Sequence, residues 1–141
     1  MRFRGFHLDC YLDTSYLILC SSEGASGQQA RQNLEERIRS GQELYSSAIA
    51  LIQFMDAGKR AGLSDDSLLV LSDDFRQLVR ELIPFGSHQW MEARALMADR
   101  GVSYSVACHA ALALQEGLLL LSAQKDYRKI PGLLFSGPET V

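Results

Sequence analysis

Apolar and polar positions along the chain fall into short blocks whose periods alternate between those of strands and those of helices. Over residues 8–20, apolar stretches are interrupted by Asp13 and Thr14, which predicts a buried strand ending in a polar rim. Residues 21–27, rich in Ser and Gly, are turn chemistry. Over residues 28–39, Ala30, Leu34 and Ile38 recur every fourth position, predicting an amphipathic helix stopped near Gly41. A short second strand is expected at 43–48, then an apolar helix from 49 to about 60, ended by Gly62.

The second half repeats the plan. Ser64, Asp65 and Asp66 offer an N-cap for a helix over 67–79 with a break near Ser72 and Asp73. A third strand follows at 81–85. Ser87 caps a helix carrying Trp90, Ala93, Leu96 and Met97, which Gly101 closes. Ser103 or Ser105 starts the next helix, which runs through Glu116 to Gly117. Residues 118–121 are four consecutive leucines, the mark of a strand covered on both faces. Residues 133–135 are a candidate fifth strand, and a loose tail covers about 136–141. This alternation argues for an α/β fold: one domain over 1–141, with a central, mostly parallel sheet of four or five strands and helices on both faces. The crevice of such a sheet lies beyond the carboxyl ends of its strands. Asp13, the start of the helix after strand two, the helix around Val106 and the segment 122–126 are expected to converge there.

Composition adds bounds. The 141 residues suffice for one domain with a real core and are too few for two ordinary ones. With 47% hydrophobic and 22% charged residues, the make-up is that of a globular protein. A formal net charge of −3 gives no case for non-specific nucleic-acid binding, though a local basic patch would suffice for RNA. Three cysteines without paired spacing fit reduced structural thiols better than a disulfide framework or a zinc site. Cys108 and His109 are neighbours on a helix and point about 100° apart, a poor geometry for sharing a metal. The opening Met1-Arg2-Phe3-Arg4 is followed by Asp9 and Asp13, which interrupt any signal-peptide core. No apolar run reaches the ~18 residues of a membrane span. The expectation is a cytoplasmic protein with no membrane partner.

Three fragments, taken in order, carry a family resemblance. They are Asp13-Thr14-Ser15 after the first strand, Ala107-Cys108-His109-Ala110-Ala111 on the late helix, and Leu121-Ser122-Ala123-Gln124-Lys125-Asp126-Tyr127 with Ile130-Pro131-Gly132-Leu133 beyond it. Together they resemble the PIN-domain family, of which the VapC-type toxins of toxin–antitoxin pairs are a populous branch. The resemblance implies a nuclease fold whose carboxylates hold Mg²⁺ or Mn²⁺, hard cations that take oxygen ligands. Such a metal activates water and neutralises charge on the scissile phosphate. It also implies a homodimer, and an antitoxin-like partner helix laid across an apolar groove.

Carried over residue by residue, the resemblance finds most acids replaced. Asp13 matches the first acidic position. Ser47-Ala48 sets the register that places Gln53 at the second. Val106 takes the third, before the Ala-x-His-x-Ala run. Gln124 takes the fourth, and Asp126 matches the companion acid two positions on. The expected remnants of the catalytic site are therefore Asp13 and Asp126, with no cofactor and no resident metal. Gln53 and Gln124 are expected to bond the Asp13 carboxylate as amide donors, with Val106 plugging the space of the third acid.

Other readings stand beside these. Asp13 also fits a strand-end turn, Asp126 a surface pairing with Lys125, Arg128 or Lys129, and His109 a packed, hydrogen-bonded histidine. Lys125, Arg128 and Lys129, like Lys59 and Arg60, are small basic clusters that could meet RNA phosphates or simply be solvated. The leading expectation is a PIN-like protein with a decayed metal-dependent ribonuclease site, acting as a nucleic-acid- or protein-binding module. The rival is an active Mg²⁺- or Mn²⁺-dependent RNA endonuclease that ligates metal through Asp13, Asp126 and a displaced acid, Asp56 or Glu116.

Overall fold

In the computed structural model, which describes residues 8–138, five short strands form one all-parallel sheet. They are β1 (Cys10–Leu12), β2 (Leu44–Ser47), β3 (Glu81–Ile83), β4 (Leu119–Leu121) and β5 (Phe135–Ser136). Their order across the sheet is β3-β2-β1-β4-β5. Cys10 lies opposite Leu44 on one side and Leu119 on the other, so β1 is the central strand. The chain winds outward from β1 to β3, then returns to the far side of β1 for β4 and β5. The order reverses between β1 and β4, and an open α/β sheet presents its ligand crevice at that point.

Six helices connect the strands: α1 (Thr14–Cys20), α2 (Ala25–Arg39), α3 (Ala48–Arg60), α4 (Asp65–Leu78), α5 (Ser87–Arg100) and α6 (Tyr104–Glu116). Side chains alternate across a strand, and β1 uses both faces. Cys10 and Leu12 enter a core with Tyr16, Leu34, Phe54 and Phe75, from α1 to α4. Tyr11 enters the opposite core with Ala93, Ala107, Ala111 and Leu120, beneath α5 and α6. The expected α/β architecture with helices on both faces is the observed one, and its sheet is parallel throughout. Among the described residues, no helix is long and apolar enough to cross a membrane.

Several boundaries differ from the sequence reading, each for a local reason. The apolar run 8–20 is a three-residue strand followed by a helix, because Asp13 caps α1 by accepting from the backbone N–H of Tyr16. Tyr16, Leu17 and Cys20 then form a buried helical stripe. Gly27 belongs to α2, not to a turn; a Cβ there would collide with the backbone carbonyl of Ser22, so glycine permits the close approach of α2 to the end of α1. No break occurs at Ser72, whose hydroxyl bonds back to the carbonyl of Leu69 within an unbroken α4. Gly86, not Ser87, precedes α5, and Ser103 rather than Ser105 caps α6. Ser136 is still strand, so the tail begins later than expected. Residues 139–141 of that tail, and Met1-Arg2-Phe3-Arg4, lie outside the described residues.

Candidate functional site

Asp13 is the first residue beyond the carboxyl end of β1. Its backbone N–H donates to the Leu121 carbonyl at 3.2 Å, which fixes it to β4. The side chain is 2% exposed. Oδ1 accepts from the Ser15 hydroxyl at 2.7 Å and from the Tyr16 N–H at 2.9 Å. Oδ2 accepts from the Ser122 hydroxyl at 2.6 Å and the Tyr127 hydroxyl at 2.9 Å. An ionised carboxylate offers roughly four acceptor sites, and four protein donors meet them. Bonds of this charge-assisted kind compensate for taking the carboxylate out of water. The oxygens of Ser122 and Ser15 also accept the N–H groups of Gln124 (2.9 Å) and Ala123 (3.0 Å), so the turn after β4 is laced to the start of α1. Burial, then the charge of Asp13 and the hydrogen bond to it, push the Tyr127 hydroxyl far above the ordinary tyrosine range, and it stays a proton donor.

A second network adjoins the first. His109 of α6 is 1% exposed. Its Nε2 lies 2.9 Å from Oε1 of Gln53 on α3, and its Nδ1 2.6 Å from the Tyr11 hydroxyl. The Gln53 oxygen also accepts from the hydroxyls of Thr14 (2.6 Å) and Ser105 (3.2 Å). Because that oxygen can only accept, His109 donates from Nε2 and its Nδ1 accepts from Tyr11. The Tyr11 oxygen in turn accepts a hydrogen bond from the Ser47 hydroxyl at 2.8 Å, and the Ser47 oxygen accepts the Ala50 N–H at 3.1 Å. Every proton in the chain then has a place. Burial lowers His109 to about 4, against an opposing pull from the charge of Asp13, so the ring is neutral at pH 7. Burial is likewise the main cause of the raised Tyr11 hydroxyl.

The segments expected to converge do meet here. Gln53 is joined to Asp13 through Thr14, the Ser105 hydroxyl places the start of α6 against Gln53, and the turn after β4 reaches Asp13 through Ser122. The expected amide bonds are not made. Gln53 bonds His109, Thr14 and Ser105 instead of Asp13, and Gln124 contributes only its backbone N–H while its side chain is exposed. The cause is that hydroxyls from Ser15, Ser122 and Tyr127, with the Tyr16 N–H, already fill the carboxylate. Val106 is 1% exposed and belongs to the apolar core beneath α6.

Asp56 and Asp126 are exposed and make no bond to Asp13, and none of the ion pairs among the described residues includes Asp126. Glu116 ends α6 just before β4 begins, which puts it at the opposite end of the parallel sheet from Asp13. Among the described residues, no group of three or more His, Cys, Asp or Glu is placed to hold a metal ion. Lys125 and Arg128 line a cavity beside this site, and Lys129 lies on the same turn without lining it. Sequence reasoning missed Tyr11, Thr14, Ser15 and Ser105 as members of the site. A phenol inside the buried run of β1 was the one available signal, since its hydroxyl must find a partner.

Residues 10–133 match the PIN domain family. The chain belongs to the PIN-domain family. This PIN domain is similar in fold to the VapBC-1 structure from nontypeable Haemophilus influenzae, at 13% identity and a TM-score of 0.73, covering 94% of this chain and 100% of the other. It is similar to VapBC2 from Rickettsia felis bound to a DNA fragment from its promoter, at 15% identity and a TM-score of 0.69, covering 92% and 98%. It is also similar to a toxin–antitoxin complex from Klebsiella pneumoniae, at 21% identity and a TM-score of 0.67, covering 94% and 100%. Comparison with curated proteins gives no match.

Two outcomes test the networks of this PIN domain. Tyr127→Phe deletes one donor to the buried Asp13 carboxylate and is expected to lower stability by about 1–3 kcal/mol in urea unfolding. A loss below roughly 0.5 kcal/mol, ordinary for a neutral surface change, would mean Asp13 does not depend on that bond. His109 supplies a pH signature. Its folded value near 4 lies below the unfolded ~6.5, so as pH falls the unfolded chain takes up the proton first. This contribution is full above the unfolded value and is lost as pH falls toward 4. Between pH 7 and 5 it removes about 2 kcal/mol, and His109→Gln should flatten that difference. Equal pH slopes for the variant and the parent would show that His109 is not held neutral.

Proposed function

We propose that this PIN domain has given up metal-dependent ribonuclease chemistry and acts as a binding or regulatory module, within a toxin–antitoxin-like pair in the cytoplasm. One observation carries the reading: the Asp13 carboxylate has all its acceptor sites met by Ser15, the Tyr16 N–H, Ser122 and Tyr127. A divalent cation needs about six oxygen ligands in a near-octahedral shell. To ligate one, Asp13 would have to release donors that satisfy it in a buried place. Gln53 is equally committed, with three donors on its oxygen, and Val106 brings no ligand atom. These residues do not fit Mg²⁺ or Mn²⁺. Clustered carboxylates repel one another, and a cation relieves that repulsion; a single carboxylate surrounded by hydroxyls has little to relieve. Asp13 and Asp126 are then remnants whose charge serves the fold and the surface.

The partner side of the proposal has its own support. A largely apolar groove of about 320 Å³ runs between α2 and α4, lined by Leu34, Ile38, Leu71, Phe75 and Leu78 together with the charged Arg31, Glu35 and Asp74, and would take the apolar face of a partner helix. One of the similar solved structures is described as a toxin–antitoxin complex. For self-association, Trp90 and Met91 on α5 are 47% and 57% exposed. Phe54 adds nothing to such a surface, because it lies in the core with its ring edge-on to Phe75, centroids 5.3 Å apart.

Calorimetric titration with Mn²⁺ tests the chemistry. The expected result is no binding at millimolar metal and no metal-dependent RNA cleavage. The combined variant Gln53→Glu, Val106→Asp and Gln124→Asp, checked for retained folding, should gain a measurable Mn²⁺ site. Tight Mn²⁺ binding by the parent chain, lost in Asp13→Asn, would falsify the decayed-site reading. Sedimentation tests the assembly: a dimer is expected at micromolar concentration, and a monomer throughout would remove the proposed homodimer.

A further inference from the structure

His109, Tyr11 and Ser47 form a linear relay of hydrogen bonds inside the fold, and all three are buried. Ser47 donates to Tyr11 at 2.8 Å, and Tyr11 donates to Nδ1 of His109 at 2.6 Å. These two contacts hold two protons, and both are filled. The Ser47 oxygen also accepts the Ala50 N–H, which makes Ser47 the N-cap of α3. Beyond Tyr11 and Ala50, the Ser47 hydroxyl has no partner among the described residues. At the other end, Nε2 of His109 already donates to Gln53. A neutral ring accepts at one nitrogen, whereas a charged ring donates from both. A proton added to His109 therefore brings three protons to two contacts. The Nδ1–H then points at the Tyr11 oxygen, Tyr11 turns its own proton to Ser47, and the Ser47 proton is left over.

The surplus falls at the one member of the relay that can move. The Tyr11 ring is fixed in the core with Ala107, Ala111 and Leu120, and His109 is held at Nε2 by Gln53. Ser47 is short, and turning its hydroxyl toward another acceptor takes its oxygen away from Ala50. Either an unsatisfied buried hydroxyl or a lost cap destabilises the start of α3. We infer that the relay is an acid-sensitive latch: a proton on His109 of α6 reverses its direction and releases the first turn of α3, the helix that carries Gln53. The latch goes beyond the binding-module reading and does not depend on it. Of the groups around His109, Asp13 carries the charge that favours the protonated ring, and burial opposes it more strongly. Thr14 on α1 and Gln53 on α3 face the ring without charge. Tyr11, Tyr127 and Cys108 are all pushed up, mainly by burial, and stay neutral as the pH falls.

Amide hydrogen exchange of the whole protein at pH 7 and pH 5 tests the latch, with protection corrected for the intrinsic exchange rate. Folded His109 takes up its proton near 4, against ~6.5 when exposed, so the released form binds the proton first and release is favoured as pH falls. Protection at the Ala50 N–H is expected to fall about twentyfold between these two conditions. It should also lie roughly tenfold or more below that of the Leu120 N–H of β4, and respond little to low urea, as a local opening does. In His109→Gln, whose amide can donate to Gln53 and accept from Tyr11 without titrating, the fall should vanish. Ser47→Ala lacks the cap at every pH and should show low Ala50 protection with no pH dependence. The latch is ruled out if Ala50 exchanges only together with Leu120 in global unfolding, or if its protection is equal at both pH values. Retention of the fall in His109→Gln would also overturn it, and would assign the pH dependence to Asp13.

Discussion

The buried carboxylate of Asp13 is the constraint on which the rest of the site depends. It stands where β1 ends, α1 begins and the turn after β4 passes, and it must be satisfied from all three. Its backbone bond to Leu121 ties the end of β1 to the end of β4, its side chain starts α1, and the Ser122 and Tyr127 hydroxyls draw in the segment after β4. An isolated buried carboxylate costs several kcal/mol unless its lone pairs are met. Here three hydroxyls and one backbone N–H meet them. The crevice is closed by the same interactions that hold the fold together at its switch point.

A second hydrogen-bond network lies on the other side of β1. Tyr11 points into the core beneath α6, and its hydroxyl links Ser47 at the end of β2 to His109. Gln53 then ties His109 on α6 to Thr14 on α1. One glutamine oxygen thus gathers α1, α3 and α6. A glutamate there would add a second charge near Asp13, and His109 would then feel two carboxylates instead of one. With the amide in place, the histidine remains neutral and the network is held by uncharged donors. Charge has been moved outward, to Asp126, Lys125 and Arg128 on the exposed turn.

The crevice at the carboxyl ends of β1 and β4 is filled and internally satisfied. The neighbouring cavity, reached from the same turn, is lined among the described residues by Lys125, Arg128 and Phe135. The two are coupled physically, since Tyr127 bonds Asp13 and packs its ring near Phe135.

Local sequence determined much of the architecture. The four leucines at 118–121 read as a strand covered on both faces, of which β4 takes Leu119–Leu121, and the alternation of strand-like and helix-like blocks pointed to a parallel sheet with helices on either side. The helix made by residues 28–39 was legible because Ala30, Leu34 and Ile38 repeat on one stripe. The boundary at Asp13 was not legible, since an apolar run of β1 and α1 has one composition and only the capping bond divides it. Gly27 likewise looks like turn chemistry until the Ser22 carbonyl is seen against it. At the site, chain order marked Asp13, the start of the helix after strand two and the turn after β4, because a parallel sheet must bring strand ends together, and the family resemblance marked Gln53. The donors that satisfy Asp13 were not decided by spacing. Ser15, Ser122 and Tyr127 reach it across as many as 114 positions of chain, and which hydroxyl meets which lone pair is settled only when β1 and β4 pair and the helices close over them.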